Sequence, residues 1–169
     1  FGVMLCAYLV SSSISSTATT MMLCSAVFAL IQETKTHIEK NRNRFAAALL
    51  LGLAFSATIG GMATPVGTPP NMYFFKSFRQ AFPGSDELNF LKWSFIGYPI
   101  SLTFLLITFF VLHFYFLRGK VVMQIGRKYF KESYNKLGSF SWEETWVAIL
   151  FITCILLWFT RADIEFSGF

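Results

Sequence analysis

Two short stretches of this 169-residue chain hold residue types suited to binding small ions. Ser11-Ser12-Ser13-Ile14-Ser15-Ser16-Thr17-Ala18-Thr19-Thr20 places eight hydroxyl side chains in ten positions. Gly60-Gly61-Met62-Ala63-Thr64-Pro65-Val66-Gly67-Thr68-Pro69-Pro70-Asn71 packs three glycines and three prolines into twelve. Hydroxyl and carbonyl oxygens are hard ligands that suit Na⁺, and hydroxyl and backbone N–H groups donate to a carboxylate or a sulfate. Glycine lets the backbone come close to a bound ion. Neither stretch contains Asp or Glu, so a bound anion meets no like charge and no carboxylate is present for proton relay. The same residue types also let helices pack closely without binding anything. Composition alone leaves both readings open.

The elements around these stretches have the composition of membrane segments. Hydrophobic residues make up 54% of the chain, charged residues 14%, and Phe occurs 21 times. The mean hydropathy is +0.54, whereas soluble domains carry roughly 25% charged residues. The expected fold is an all-α integral membrane protein, and the lipid bilayer is its first implied partner. The net charge is +5. Its basic residues flank apolar spans and do not form a basic face interleaved with aromatics, which argues for membrane topology and against nucleic acid. The chain starts on Phe1 inside an apolar run and stops at Phe169 just after another, without a signal-peptide pattern. A piece of a longer protein is expected.

Residues 1–31 read as two apolar arms around the Ser/Thr stretch. As one helix they would be about 46 Å long, against a hydrocarbon core of about 30 Å, and each arm alone would reach only about 15–17 Å. A re-entrant hairpin meets both limits: one helix in, a polar tip near mid-membrane, one helix out. A single tilted span with its hydroxyls bonded back to its own helix is the competing geometry. Residues 32–44, with Lys35, Lys40, Arg42 and Arg44, form an expected cytoplasmic loop. Residues 45–82 read as one transmembrane helix broken at 60–71. Glycine costs about 1 kcal/mol per helical site, and an interior proline removes a hydrogen bond. Non-helical backbone at membrane depth survives only inside protein or beside a polar cavity, which makes the break a candidate site.

Pro83–Asn89 reads as a turn, 91–117 as a full span, 118–144 as a cytoplasmic, interfacial amphipathic segment and 145–160 as a slightly short span. The two basic loops carry ten Lys and Arg, against Lys76, Arg79, Lys92 and Arg161 on the other side. That asymmetry places both loops in the cytoplasm, and the hairpin then opens from the cytoplasmic side. Other residues offer less. Cys6, Cys24 and Cys154 are isolated in apolar runs with no metal or redox spacing. His37 lies in a polar loop, and His113 sits in an apolar span near its cytoplasmic end, where it can snorkel. Glu143-Glu144 suits the start of a helix. An intramembrane enzyme would need a nucleophile with a base, or paired Asp residues in spans. Neither occurs, and no enzymatic activity is expected.

Ile14-Ser15-Ser16-Thr17-Ala18-Thr19-Thr20-Met21-Met22-Leu23 resembles the first hairpin motif, I-S-N-T-A-T, of the divalent anion/sodium symporter family. Residues 56–71 resemble that family's S-I-G-G-x-x-T-x-x-G-[ST]-P-P-N stretch, and the order of hairpin, basic loop and broken helix is the same. The resemblance covers 1–169 as most of the first of two inverted repeats. It implies an elevator-type transporter of the inner or plasma membrane, homodimeric at full length, which moves C4-dicarboxylates, citrate or sulfate with Na⁺ as coupling ion and no other cofactor. It also implies that Ser15, Ser16 and Thr17 form the hairpin tip, with Ser15 and Ser16 touching both Na⁺ and substrate. Ser11 and the carbonyls of Gly60 and Gly61 would add Na⁺ oxygens, and Thr64, Gly67, Thr68 and Pro69 would line the substrate side. The span at 91–117 and the segment after it would join mobile and scaffold parts.

Ser16 stands where the family has Asn. A hydroxyl is shorter than an amide and offers a different set of donors and acceptors. An altered Na⁺ site, H⁺ coupling, another anion, or exchange in place of symport therefore stay open. So does a non-transport membrane subunit whose Ser and Gly content serves packing. The second hairpin motif expected of the other repeat is not among these residues.

Overall fold

A computed structural model of the chain describes residues 1–33, 42–84, 90–116 and 141–160. The regular elements among them are α1 (Gly2–Ser11), α2 (Ser16–Glu33), α3 (Arg42–Met62), α4 (Pro69–Ala81), α5 (Phe90–Phe116) and α6 (Trp142–Thr160). The chain divides into two compact units, 1–122 with α1 to α5 and 123–169 with α6. Most of the expected basic loop 32–44, including His37, most of the turn 83–89 and most of the amphipathic segment 118–144 lie outside the described residues.

In the first unit α3 is the axis, and α1, α2 and α5 all pack on it. Its sequence allows this. Ala46, Ala47, Ala48, Gly52, Ala57, Gly60 and Gly61 are small enough for neighbouring backbones to come close. One apolar cluster joins Met4 and Tyr8 of α1 to Ala63, Leu105 and Leu112, and a second joins Ala7 to Val27 and Leu53. α1 thus seats on α3 beside α5 through one face and beside α2 through another. On α5, the residues Ser94, Ser101, Leu105 and Leu112 are buried, spaced to fall on one helical face.

The rest of α5 is bare: Phe95, Ile100, Phe104, Phe110 and Phe114 are exposed. A helix that shows this much apolar surface is matched to lipid and not to water. Asn43–Met62 and Phe90–Phe116 are long and apolar enough to cross a membrane. With 10 and 18 residues, α1 and α2 measure about 15 and 27 Å and fall short of a span of about 30 Å. Pro99 lies inside α5 without ending it, as transmembrane helices tolerate.

Both irregular stretches are shorter than their composition suggests. The bend between α1 and α2 is residues 12–15, not the whole of 11–20, and α2 already begins at Ser16. Thr20 shows why: its hydroxyl donates to the Ser16 carbonyl at 2.8 Å, and such local bonds keep a hydroxyl-rich stretch helical away from water. The break is residues 63–68, a correction to the expected 60–71. α3 runs on through Gly60, Gly61 and Met62, and Pro69-Pro70 open α4. Proline is favoured at the first helical position, where the N–H it lacks would be unpaired anyway. The two glycines stay helical because close packing outweighs their propensity cost of about 1 kcal/mol each.

α6 starts at Trp142, ahead of the expected 145, because Ser141 caps it. The Ser141 N–H donates to Glu144 Oε2 at 2.9 Å, and the Glu144 N–H donates to Ser141 Oγ at 3.2 Å. This reciprocal pair is a capping box. Bonds from its own backbone N–H and from the Ser141 hydroxyl hold the Glu143 carboxyl below the usual carboxylate range. Ser141→Ala is expected to cost α6 about 1 kcal/mol, read as faster amide exchange in its first turn.

Candidate ion and anion site

Four helix ends meet in one patch: the C-termini of α1 and α3 and the N-termini of α2 and α4. The fully buried Ser11 donates its hydroxyl proton to the Ala57 carbonyl at 2.5 Å, and its Oγ lies 3.1 Å from Ser16 Oγ. The Thr64 hydroxyl donates to the Ser12 carbonyl and accepts the Gly67 N–H at 3.2 Å. The broken helix is therefore tied directly to the hairpin bend. α5 braces the same bend: the Tyr98 hydroxyl donates to Ser12 Oγ at 3.3 Å, and the Tyr8 and Ser101 hydroxyls lie 2.8 Å apart.

Two glycines face α1 and the start of α2 on the last turn of α3, and only the first of them meets backbone. A Cβ on Gly60 would overlap the Tyr8 carbonyl, and one on Gly61 would overlap Ser16 Oγ. Gly67 closes on the same turn, since a Cβ there would fall 2.6 Å from the Gly61 carbonyl oxygen.

Asn71 holds the two edges of the break together. Its buried side-chain amide donates both protons, to the Gly61 carbonyl at 2.9 Å and to the Thr64 carbonyl at 2.8 Å. The Gly60 carbonyl accepts the Ala63 N–H at 3.0 Å. A carbonyl oxygen has two lone pairs. Gly60 and Gly61 can still offer an oxygen to a cation, from backbone already locked in place.

Of the residues singled out from the sequence, Ser11, Ser16, Gly60, Gly61, Thr64 and Gly67 come together here. Ser15, Thr17 and Pro69 are exposed, and Thr68 is the half-buried residue before α4, with no side-chain cap bond. Sequence reasoning misses Ser12, Asn71, Tyr8 and Tyr98. For Asn71 a signal was available. A two-donor side chain in the first turn of a membrane helix needs acceptors, and the nearest are the unpaired carbonyls that end the helix before it. His113 is exposed and stacks on Phe109 with ring centroids 5.9 Å apart, taking no part in the cluster.

No group of three or more His, Cys, Asp or Glu able to hold a metal ion occurs among the described residues. The field in the patch is that of the backbone. A helix end carries roughly half an elementary charge, negative at the C-terminus and positive at the N-terminus. A small cation is favoured among the oxygens that end α1 and α3, and an anion beside the starts of α2 and α4. The two starts are not equal donors. Pro69 and Pro70 have no N–H, and the Asn71 N–H donates to the Thr68 carbonyl at 3.2 Å. α2 opens instead with the N–H groups of Ser16, Thr17 and Ala18, which have no acceptor within their own helix. Of the two helix starts, α2 therefore offers the more N–H groups without a partner in its own helix. A cavity of about 430 Å³ between α4 and α5 borders the cluster at Asn71 and Ser101 but is lined largely by apolar side chains, among them Phe74, Phe78, Trp93 and Ile96, and does not include Ser11, Ser16 or Thr64.

A family model described as a citrate transporter matches residues 1–165. Human solute carrier family 13 member 4 is 33% identical over 126 residues, 67% of this chain and 20% of its own length. The sodium-dependent dicarboxylate transporter SdcS of Staphylococcus aureus is 31% identical over 166 residues, 95% of this chain and 32% of its own length. The chain spans between a fifth and a third of these curated relatives.

Proposed function

The chain belongs to the citrate-transporter family, that of the divalent anion/sodium symporters, and is an integral membrane protein; from that premise we propose that it carries half the binding site of a secondary active transporter. The transported species is a divalent anion, a C4-dicarboxylate or citrate, or sulfate, and Na⁺ is the coupling ion. The observation that supports this most is the convergence of two interrupted helices on Ser11, Ser16, Thr64 and the Gly60-Gly61 turn.

Na⁺ sits among the Ser11 and Ser16 hydroxyls and the carbonyls of Gly60 and Gly61. Its charge and the leading N–H groups of α2 then hold a substrate carboxylate or sulfate oxygen. Ser15 and Thr17, exposed at the lip, touch substrate as it enters. Thr64, Gly67, Thr68 and Pro69 form the opposite wall. The other half of the site comes from a second repeat, in a homodimer that works by an elevator motion. Neither 11–20 nor 60–71 contains Asp, Glu or His, which favours Na⁺ over H⁺ as the driving ion.

The test is uptake of labelled succinate, citrate and sulfate into vesicles holding the full-length protein, with Na⁺ and pH gradients imposed separately. Uptake of at least one anion is expected to rise with inward Na⁺ and to be indifferent to a pH gradient alone. Uptake that follows the pH gradient and ignores Na⁺ refutes the coupling.

A further inference from the structure

Thr19 lies in the first turn of α2 with 1% of its surface exposed, and its hydroxyl has no hydrogen-bond partner among the described residues. Several other helical hydroxyls among the described residues avoid that state by donating one turn back, as Thr20 does to Ser16, Ser56 to Gly52 and Thr58 to Ala54, while Ser94 Oγ on α5, far along the chain from both irregular stretches, shares it. A buried hydroxyl without a partner is expensive and calls for an explanation. Thr19 shares a helical face with Ser16, three residues before it, and with Val27 two turns on, which packs against Leu53 of α3. Thr19 is therefore buried on the side of α2 that packs on α3, one turn from Ser16, whose own Oγ stands against Gly61. Ser11, with its proton given to Ala57, presents only lone pairs to the same junction.

We propose that Thr19 Oγ1 is a further ligand of the coupling cation, and that it supplies an oxygen in a site where Ser16 replaces the longer Asn. This rests on the Na⁺-coupled reading above. The atoms of Thr19 suit the role. With one lone pair on the cation, the hydroxyl gains the partner that no described residue supplies, the Ser15 carbonyl being taken by the Thr19 N–H at 2.9 Å. The group is then satisfied only when the ion is present. The cation in turn meets three hydroxyl oxygens beside the negative ends of α1 and α3.

The experiment uses the purified full-length protein with Thr19→Val and Thr19→Ser. Valine keeps the shape and removes the oxygen, and serine keeps the oxygen. Two quantities are measured: the rise of the melting temperature with added NaCl, against choline chloride at equal ionic strength and without substrate, and the Na⁺ dependence of anion uptake. Thr19→Ser is expected to match the wild type. Thr19→Val is expected to need about tenfold more Na⁺ for half effect in both measurements, the loss of one ligand. Its melting temperature without Na⁺ should be equal to or above that of the wild type, because an unpaired buried hydroxyl has gone. Should the valine variant not fold, Thr19→Ala is compared with Thr19→Ser in the same two measurements. An unchanged Na⁺ midpoint in the variant that lacks the oxygen overturns the inference and leaves Thr19 as a packing residue or a water site. A wild type without any Na⁺ response overturns the coupling scheme, and the inference with it.

Discussion

Gly60→Ala is expected to abolish uptake and to destabilise the first unit, whereas Gly61→Ala should fold nearly as well as the wild type. The two glycines are adjacent in one helical turn, so propensity alone predicts the same gain for both, about 1 kcal/mol in favour of alanine. What each methyl group meets decides otherwise. At Gly60 it meets the carbonyl, C and Cα of Tyr8, all backbone. α1 must then lift off α3, and the cluster of Met4, Tyr8, Ala63 and Leu105 opens with it. Overpacking of this kind costs about 1–3 kcal/mol or more, and it also pulls Ser11 away from Ala57. At Gly61 the methyl meets Ser16 Oγ first, the end of a rotatable side chain, and next the Gly67 carbonyl oxygen at 3.3 Å. The serine can swing aside. The expected result for Gly61→Ala is a near-normal melting temperature with weakened Na⁺ dependence, since Ser16 leaves Ser11. Thermal unfolding in detergent beside Na⁺-dependent uptake separates the two outcomes. A Gly60→Ala protein that melts like the wild type would show that α1 does not rest on this turn.

Asn71→Asp is expected to be the most damaging change of nearly equal size in the chain. The amide donates to two carbonyls, and each bond is worth about 1 kcal/mol net. Asn71→Ala should therefore cost about 2 kcal/mol. A carboxylate does worse, because it turns charged oxygens toward the carbonyls of Gly61 and Thr64 in a buried place. Burial and facing acceptors both disfavour the ionised form of the introduced carboxyl. The sign follows: the neutral acid can donate one bond, so stability and uptake should partly recover as pH falls and decline as it rises. Melting curves at several pH values check this. A pH-independent deficit equal to that of Asn71→Ala would mean that the introduced carboxyl never faces the carbonyls.

The membrane class, the apolar segments and the two irregular stretches were legible in the sequence, because transfer of apolar residues to lipid and the helix-breaking tendency of Gly and Pro are local properties. The site was legible in part. Ser11, Ser16, Thr64 and Gly67 stand in hydroxyl- and glycine-rich runs that mark themselves. The limits of those runs were not. Gly60 and Gly61 have the local character of a break, yet they complete α3, because the Tyr8 carbonyl of another helix presses where a side chain would be.

What tertiary structure alone decided is which polar groups find each other. Ser11 meets Ala57 across 46 residues, Thr64 meets Ser12 across 52, and Tyr98 meets Ser12 across 86. No local pattern encodes such pairs. They follow from the order in which α1, α2 and α5 take their places around α3, where each polar group without water must find a partner inside the protein. Where one does not, as at Thr19, the sequence supplied the hydroxyl and only the packing left it without a partner.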